Sequence, residues 1–81
     1  MISCAHYDYI EIACLYHYDI KLTLKSGEVI EGRALDTARN SDLKECIKIK
    51  TSVDEPLIVL DDIMRLQIKT KNPHFQSVSF T

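Results

Sequence analysis

Ile20-Lys21-Leu22-Thr23-Leu24-Lys25-Ser26-Gly27-Glu28-Val29-Ile30 is the stretch that decides the fold. Ile20, Leu22 and Leu24 alternate with Lys21, Thr23 and Lys25, a period of two that puts apolar side chains on one face of a strand and polar ones on the other. Lys25-Ser26-Gly27-Glu28 then supplies a glycine where a tight turn needs positive φ. The spacing predicts a hairpin with strands over about 20–25 and 28–35. In the second strand the apolar positions change parity around Gly32, and a glycine inside a strand marks a bulge or sharp bend. In a small barrel such a bend lets one long strand serve both halves of the sheet.

Downstream of the hairpin, 36–45 is polar and without a clean period, which predicts the longest exposed loop. Cys46-Ile47-Lys48-Ile49-Lys50 alternates again and predicts a strand over about 46–51, with Ile47 and Ile49 inward. Leu57-Ile58-Val59-Leu60 follows a turn at 52–56 and reads as a short strand, about 57–60, apolar on both faces. That pattern is expected where a helix covers one side and the core the other. Asp61-Asp62-Ile63 predicts a tight corner of one 3₁₀ turn, and Met64 to Thr70 a strand that alternates cleanly until Asn72-Pro73 stops it. Phe75, Val78 and Phe80 predict that the tail packs as an extended segment.

Upstream, residues 4–19 form the chain's only acidic block, with Asp8, Glu11 and Asp19 and no lysine or arginine. Asp8 followed three residues later by Glu11 has the form of a capping box, so a helix is expected over about 8–18. On that helix Tyr9, Ile12, Ala13 and Tyr16 share one side, and Ile10, Cys14 and His17 form an adjoining row. Asp8 and Glu11 are left to face water at the N-terminal end, where the helix dipole favours negative charge. Two readings follow: a lid over a small core, or a docking surface whose acidic, tyrosine-bearing end meets a basic partner. One helix followed by five or six short antiparallel strands is the outline of an Sm-like or SH3-like small barrel, a single domain over 1–81. An OB-fold is the competing architecture, but it usually places its helix between strands.

The net charge of −2 conceals a segregation: −3 before residue 20, and +1 from the other 9 acids and 10 bases. Such polarity favours an oriented interaction over bulk attraction to nucleic acid or membrane. Cys4, Cys14 and Cys46 cannot all pair within one chain, and no basic region followed by an apolar one opens the sequence, so a reducing cytoplasm is expected. Cys4, His6, Cys14, His17 and Cys46 invite a metal reading, yet they form neither C-x₂-C nor H-x₃-H, and neither a metal nor another cofactor is expected. No nucleophile with a base and an orienting group stands out, and Gly27 and Gly32 are too few for a phosphate loop, so an enzyme is not expected. The rival function is an Sm-like RNA-binding module using Lys21, Lys25, Arg33, Lys48, Lys50, Arg65 and Lys69 on outward strand positions, although no aromatic residue interleaves them. A ring-forming assembly module using exposed strand edges is the third class.

Several of these segments together resemble the Rho-binding antiterminator (Rof) family. They are Ile2-Ser3-Cys4, Tyr7-Asp8-Tyr9-Ile10-Glu11-Ile12-Ala13-Cys14, His17, Leu22-Thr23-Leu24-Lys25-Ser26-Gly27-Glu28, Ala34-Leu35-Asp36-Thr37 and Leu60-Asp61-Asp62-Ile63. The resemblance spans nearly the whole chain, and Tyr7 to Cys14 is its most diagnostic part. It implies a bacterial, cytoplasmic, monomeric Sm-like regulator that binds the termination factor Rho, obstructs Rho's primary RNA-binding surface and so inhibits Rho-dependent termination. Carried over by position, Tyr7, Asp8, Tyr9 and Glu11, with His6 beside them, are the implied partner-facing residues. His6 stands where the family often has an acid.

Overall fold

The structure, a computed structural model, describes residues 4–71 and 76–80. It consists of helix α1 (Cys4–Leu15), then strands β1 (Asp19–Leu24), β2 (Val29–Arg39), β3 (Glu45–Lys50) and β4 (Leu57–Val59), a 3₁₀ turn (Leu60–Asp62), β5 (Ile63–Ile68) and β6 (Ser77–Ser79). All neighbours pair antiparallel in the order β4-β3-β2-β1-β5-β6.

That order forces the sheet to curl. β4 and β5 are separated by three intervening strands, a gap of roughly 19 Å in a flat sheet at about 4.8 Å per strand. The chain crosses from one to the other through three residues of 3₁₀ turn, with a rise of about 2 Å each. Only a sheet wrapped into a small barrel brings the two ends that close. The wrapped inner face holds Ile20, Leu22 and Leu24 from β1, Ile47 and Ile49 from β3, and Ile63, Leu66 and Ile68 from β5, all buried. The hairpin turns as its sequence requires: Gly27 sits at φ +94°, and its N–H donates to the Leu24 carbonyl at 2.9 Å.

β2 is the strand that serves both halves. Its first part pairs with β1 through Asp19 opposite Arg33, and its second part with β3 from Arg33 opposite Lys50 onward, with a register shift between Ala34 and Asp36. Gly32 sits beside this switch. A Cβ there would run into the Lys50 carbonyl oxygen and lie 2.6 Å from Ile49 Cγ2, so the glycine is what lets β3 approach. Because of the shift at Leu35, Asp36, Thr37, Ala38 and Arg39 stay in the ladder opposite Lys48, Ile47, Cys46 and Glu45. The expected loop over 36–45 is therefore corrected to a turn over 40–44. There the Asn40 side-chain oxygen accepts from the backbone N–H groups of Asp42 and Lys44.

Three other expectations are corrected. The helix starts at Cys4, not Asp8; Asp8 is its fifth residue, and no acid lies in the first turn. Asp-x-x-Glu suits the solvent side of a helix interior as well as a cap, and the buried stripe through Ile10 and Cys14 already includes half-buried Tyr7 one turn earlier. β4 is not covered on both faces: α1 packs on β2, and Leu57 remains 39% exposed. In β5 a register shift near Met64 leaves both Met64 and Arg65 outside, breaking the clean alternation. The packed extended tail is present as β6, with Val78 opposite Leu66, whereas Phe75 and the expected stop at Asn72-Pro73 lie outside the described residues.

Candidate partner-binding groove between helix and sheet

Helix α1 is fastened at its C-terminal end. The Tyr18 N–H donates to the Ala13 carbonyl (3.0 Å) and the His17 N–H to the Cys14 carbonyl (3.1 Å), the paired bonds of a Schellman motif, with His17 at φ 51° in the place usually held by glycine. The imidazole offsets that backbone strain. His17 Nδ1 lies 3.0 Å from the Ala34 carbonyl oxygen, which can only accept, so Nδ1 carries the hydrogen. The Ala34 N–H in turn donates to the Tyr18 carbonyl at 2.9 Å. Both backbone polar groups of Ala34 are thus used by the helix connector, at the point where β2 changes partners. The Tyr16 and Tyr18 rings stack at 5.4 Å over the same joint. The His17 ring thus ties the helix to β2.

This joint holds α1 against β2 through buried Ile10, Ala13 and Cys14, and leaves a groove of about 740 Å³ along the helix. Asp8, Glu11, Ile12 and Leu15 form the helix wall, Leu35, Asp36 and Thr37 the strand wall, and Cys14 and His17 lie between. The chemistry is one-sided: three carboxylates surround an apolar strip, and among the described residues no lysine or arginine lines it. Among the described residues Asp8 and Glu11 make no ion pair, and the Asp36 carboxylate accepts only from the Thr37 N–H at 2.8 Å. Leu15 is 72% exposed, an apolar side chain left uncovered at the groove's edge. Burial, supported by the nearby Asp36 and Glu11 carboxylates, pushes the Cys14 thiol up to about 12. At neutral pH it is a protonated, inert thiol, not a nucleophile.

Of the residues singled out by sequence, Asp8 and Glu11 come together in this groove, both exposed. Tyr7 and Tyr9 are half-buried and packed against the core. His6 is half-buried with its ring stacked on Phe80, centroids 4.7 Å apart and planes 2° from parallel. Leu35 falls at the end of the expected second strand, but Asp36 and Thr37 were assigned to the loop after it, so the opposite wall escaped sequence reasoning; the parity change at Gly32 was the available signal. Among the described residues no three His, Cys, Asp or Glu side chains converge on a point that could hold a metal, and Cys14 and Cys46 are separate, buried, free thiols.

A helix fastened across a curled six-stranded antiparallel sheet defines a class of small β protein already known from a solved structure. YaeO from Vibrio cholerae O395, determined bound to magnesium, matches with a TM-score of 0.90 and 44% identity over 93% of this chain and 97% of that one. A family model described as modulator of Rho-dependent transcription termination (ROF) matches residues 1–80, and the chain belongs to that family. Among curated proteins no significant match was found. No helix among the described residues is long and apolar enough to cross a membrane.

Proposed function

We propose that this chain inhibits Rho-dependent termination as a monomeric, cytoplasmic, non-enzymatic antiterminator, by laying the α1–β2 groove on Rho's primary RNA-binding surface. The observation that carries the proposal is the groove's charge: Asp8, Glu11 and Asp36 around Ile12, Leu15 and Leu35, with no cation among them. A surface built to hold RNA presents lysine and arginine to phosphates and flat apolar faces to bases. Carboxylates spaced around an apolar strip are complementary to such a surface and compete with the nucleic acid for it. Asp8 and Glu11, with Asp36 across the groove, steer association and make it salt-sensitive. Tyr7, Tyr9 and His6, at the same end of the helix, shape the contact surface, and exposed Leu15 adds an apolar contact at the groove's edge.

The rival, direct RNA binding by the outer strand face, is weakened by neutralised cations. Of the seven cations named for it, Arg33 pairs with Asp19 (3.7 Å) and Lys69 with Glu31 (2.9 Å). The test is displacement of a labelled C-rich RNA from purified Rho, followed by anisotropy at two salt concentrations. The wild-type chain is expected to displace RNA, less effectively at high salt, and Asp8→Lys with Glu11→Lys to abolish displacement while melting like wild type. A folded double variant that displaces RNA as well as wild type refutes the groove, and RNA binding by the chain without Rho binding supports the rival.

A further inference from the structure

The groove's helix is held very differently at its two ends. The C-terminal half is locked by the Schellman bonds, the His17–Ala34 contact and buried Ile10, Ala13 and Cys14. The first turn has no acid to complement the helix dipole, and Ala5 is exposed. An isolated helix of this length is marginal in water, so its first turn stays wound only if something outside the helix holds it. Tyr7, packed against the core, supplies part of that hold, and a second contact comes from the far end of the sequence. Phe80 is half-buried against the core, its N–H donates to the Met64 carbonyl at 2.8 Å, and its ring lies face to face with His6. Immediately before it, Ser77, Val78 and Ser79 pair with Gln67, Leu66 and Arg65. A strand pinned to β5 thus presents one aromatic ring to the first turn of α1.

We infer that β6 and Phe80 act as a clasp that fixes the N-terminal turns of α1, and that Phe80 is a positioning residue for Asp8 in the proposed Rho contact. The inference rests on the groove reading above and adds to it a division of labour. Glu11 and Asp36 sit beside the locked half of the helix and keep their places without the clasp. Asp8 is three residues, nearly a full turn, nearer the free end, so its place depends more on the clasp. His6, on this account, serves the interface through its stack with Phe80.

The test uses the full chain with Phe80→Ala and Phe80→Tyr, each alone and combined with Asp8→Asn or Asp36→Asn, in the Rho–RNA displacement assay with a melting curve for every variant. Phe80→Ala is expected to weaken displacement by roughly 3- to 10-fold, the equilibrium shift of one lost aromatic pair. Phe80→Tyr, which keeps the ring, is expected to restore it. In the Asp8→Asn background the effect of Phe80→Ala is expected to shrink toward none, whereas in the Asp36→Asn background it persists in full. Amide exchange across residues 5–9 is expected to speed up in Phe80→Ala while β1 and β5 stay protected. Unchanged displacement by a folded Phe80→Ala, or an equal loss in both Asn backgrounds, overturns the clasp. The groove itself is judged separately by Asp8→Lys with Glu11→Lys, so the two proposals fail in distinguishable ways.

Discussion

Gly32→Ala asks the fold its hardest single question. The added Cβ lies 2.6 Å from Ile49 Cγ2 and overlaps the Lys50 carbonyl oxygen. Contacts of real Cβ atoms essentially never fall below 3.0 Å, so Ile49 must retreat by at least 3.0 − 2.6 = 0.4 Å. Ile49 is fully buried, and the Lys50 oxygen is backbone in the β2–β3 ladder; neither is a side-chain tip that swings away. Overpacking of a closed core costs about 1–3 kcal/mol, and a displaced ladder belongs at the upper end of that range. A domain of this size has only about 4–12 kcal/mol in total, so a fall in melting temperature of roughly 10–20 °C is expected by calorimetry or urea titration.

Gly27→Ala is the control, because Gly27 meets nothing within 4 Å of its would-be Cβ and sits at φ +94°. Its cost is backbone strain alone, about 1–2 kcal/mol. Gly27→Asn is expected to recover part of that, since asparagine tolerates positive φ, while Gly32→Asn is expected to be worse than Gly32→Ala. If Gly32→Ala melts within about 2 °C of wild type, β3 does not approach β2 as described, and the account of the strand switch fails.

At the helix joint, His17→Ala is expected to lose more stability than His17→Gly, by about 1 kcal/mol in urea titrations, because glycine takes the φ 51° position freely and alanine does not. The reverse order would sink the Schellman assignment. Cys14 gives a pH prediction. Its folded pKa is raised to about 12 from 9.0, so the folded chain holds a proton that the unfolded chain releases. The associated stability is intact below pH 9 and is lost as pH rises through the window up to about 12. Cys14→Ala is therefore expected to show a shallower alkaline decline than wild type, and parallel declines would contradict the raised pKa. Iodoacetamide is expected to label Cys14 only after denaturation, and rapid labelling of the folded chain would expose an error in its burial.

The strands that alternate were legible because alternation is a local property: Ile20, Leu22 and Leu24 point inward whatever they pair with, and Gly27 announces its own turn. The far half of β2 was not, because Asp36 to Arg39 carry no inward stripe; they are strand only because β3 lies beside them after the shift at Leu35. The same shift hid half of the groove, since Asp36 reaches Cys14 and the helix only once β2 continues past Ala34. Asp8 and Glu11 were legible as an acidic, partner-facing pair, but the capping role also read from them is removed by the helix start at Cys4. His6 carried no signal for its stack, because its partner, Phe80, lies near the opposite end of the sequence.

That separation also sets a timetable. Closing a loop from residue 6 to residue 80 costs entropy that grows only with the logarithm of its length, so the contact is cheap at equilibrium. In time it comes late, because the strand that carries Phe80 can dock only on a β5 already in place. The His6–Phe80 stack is thus expected to be the last contact made and the first to open, with its amides the earliest to exchange under native conditions. A polypeptide halted on the ribosome before Phe80 emerges would already hold its barrel yet present an unfinished helix, and newly made chains would mature for binding later than they fold.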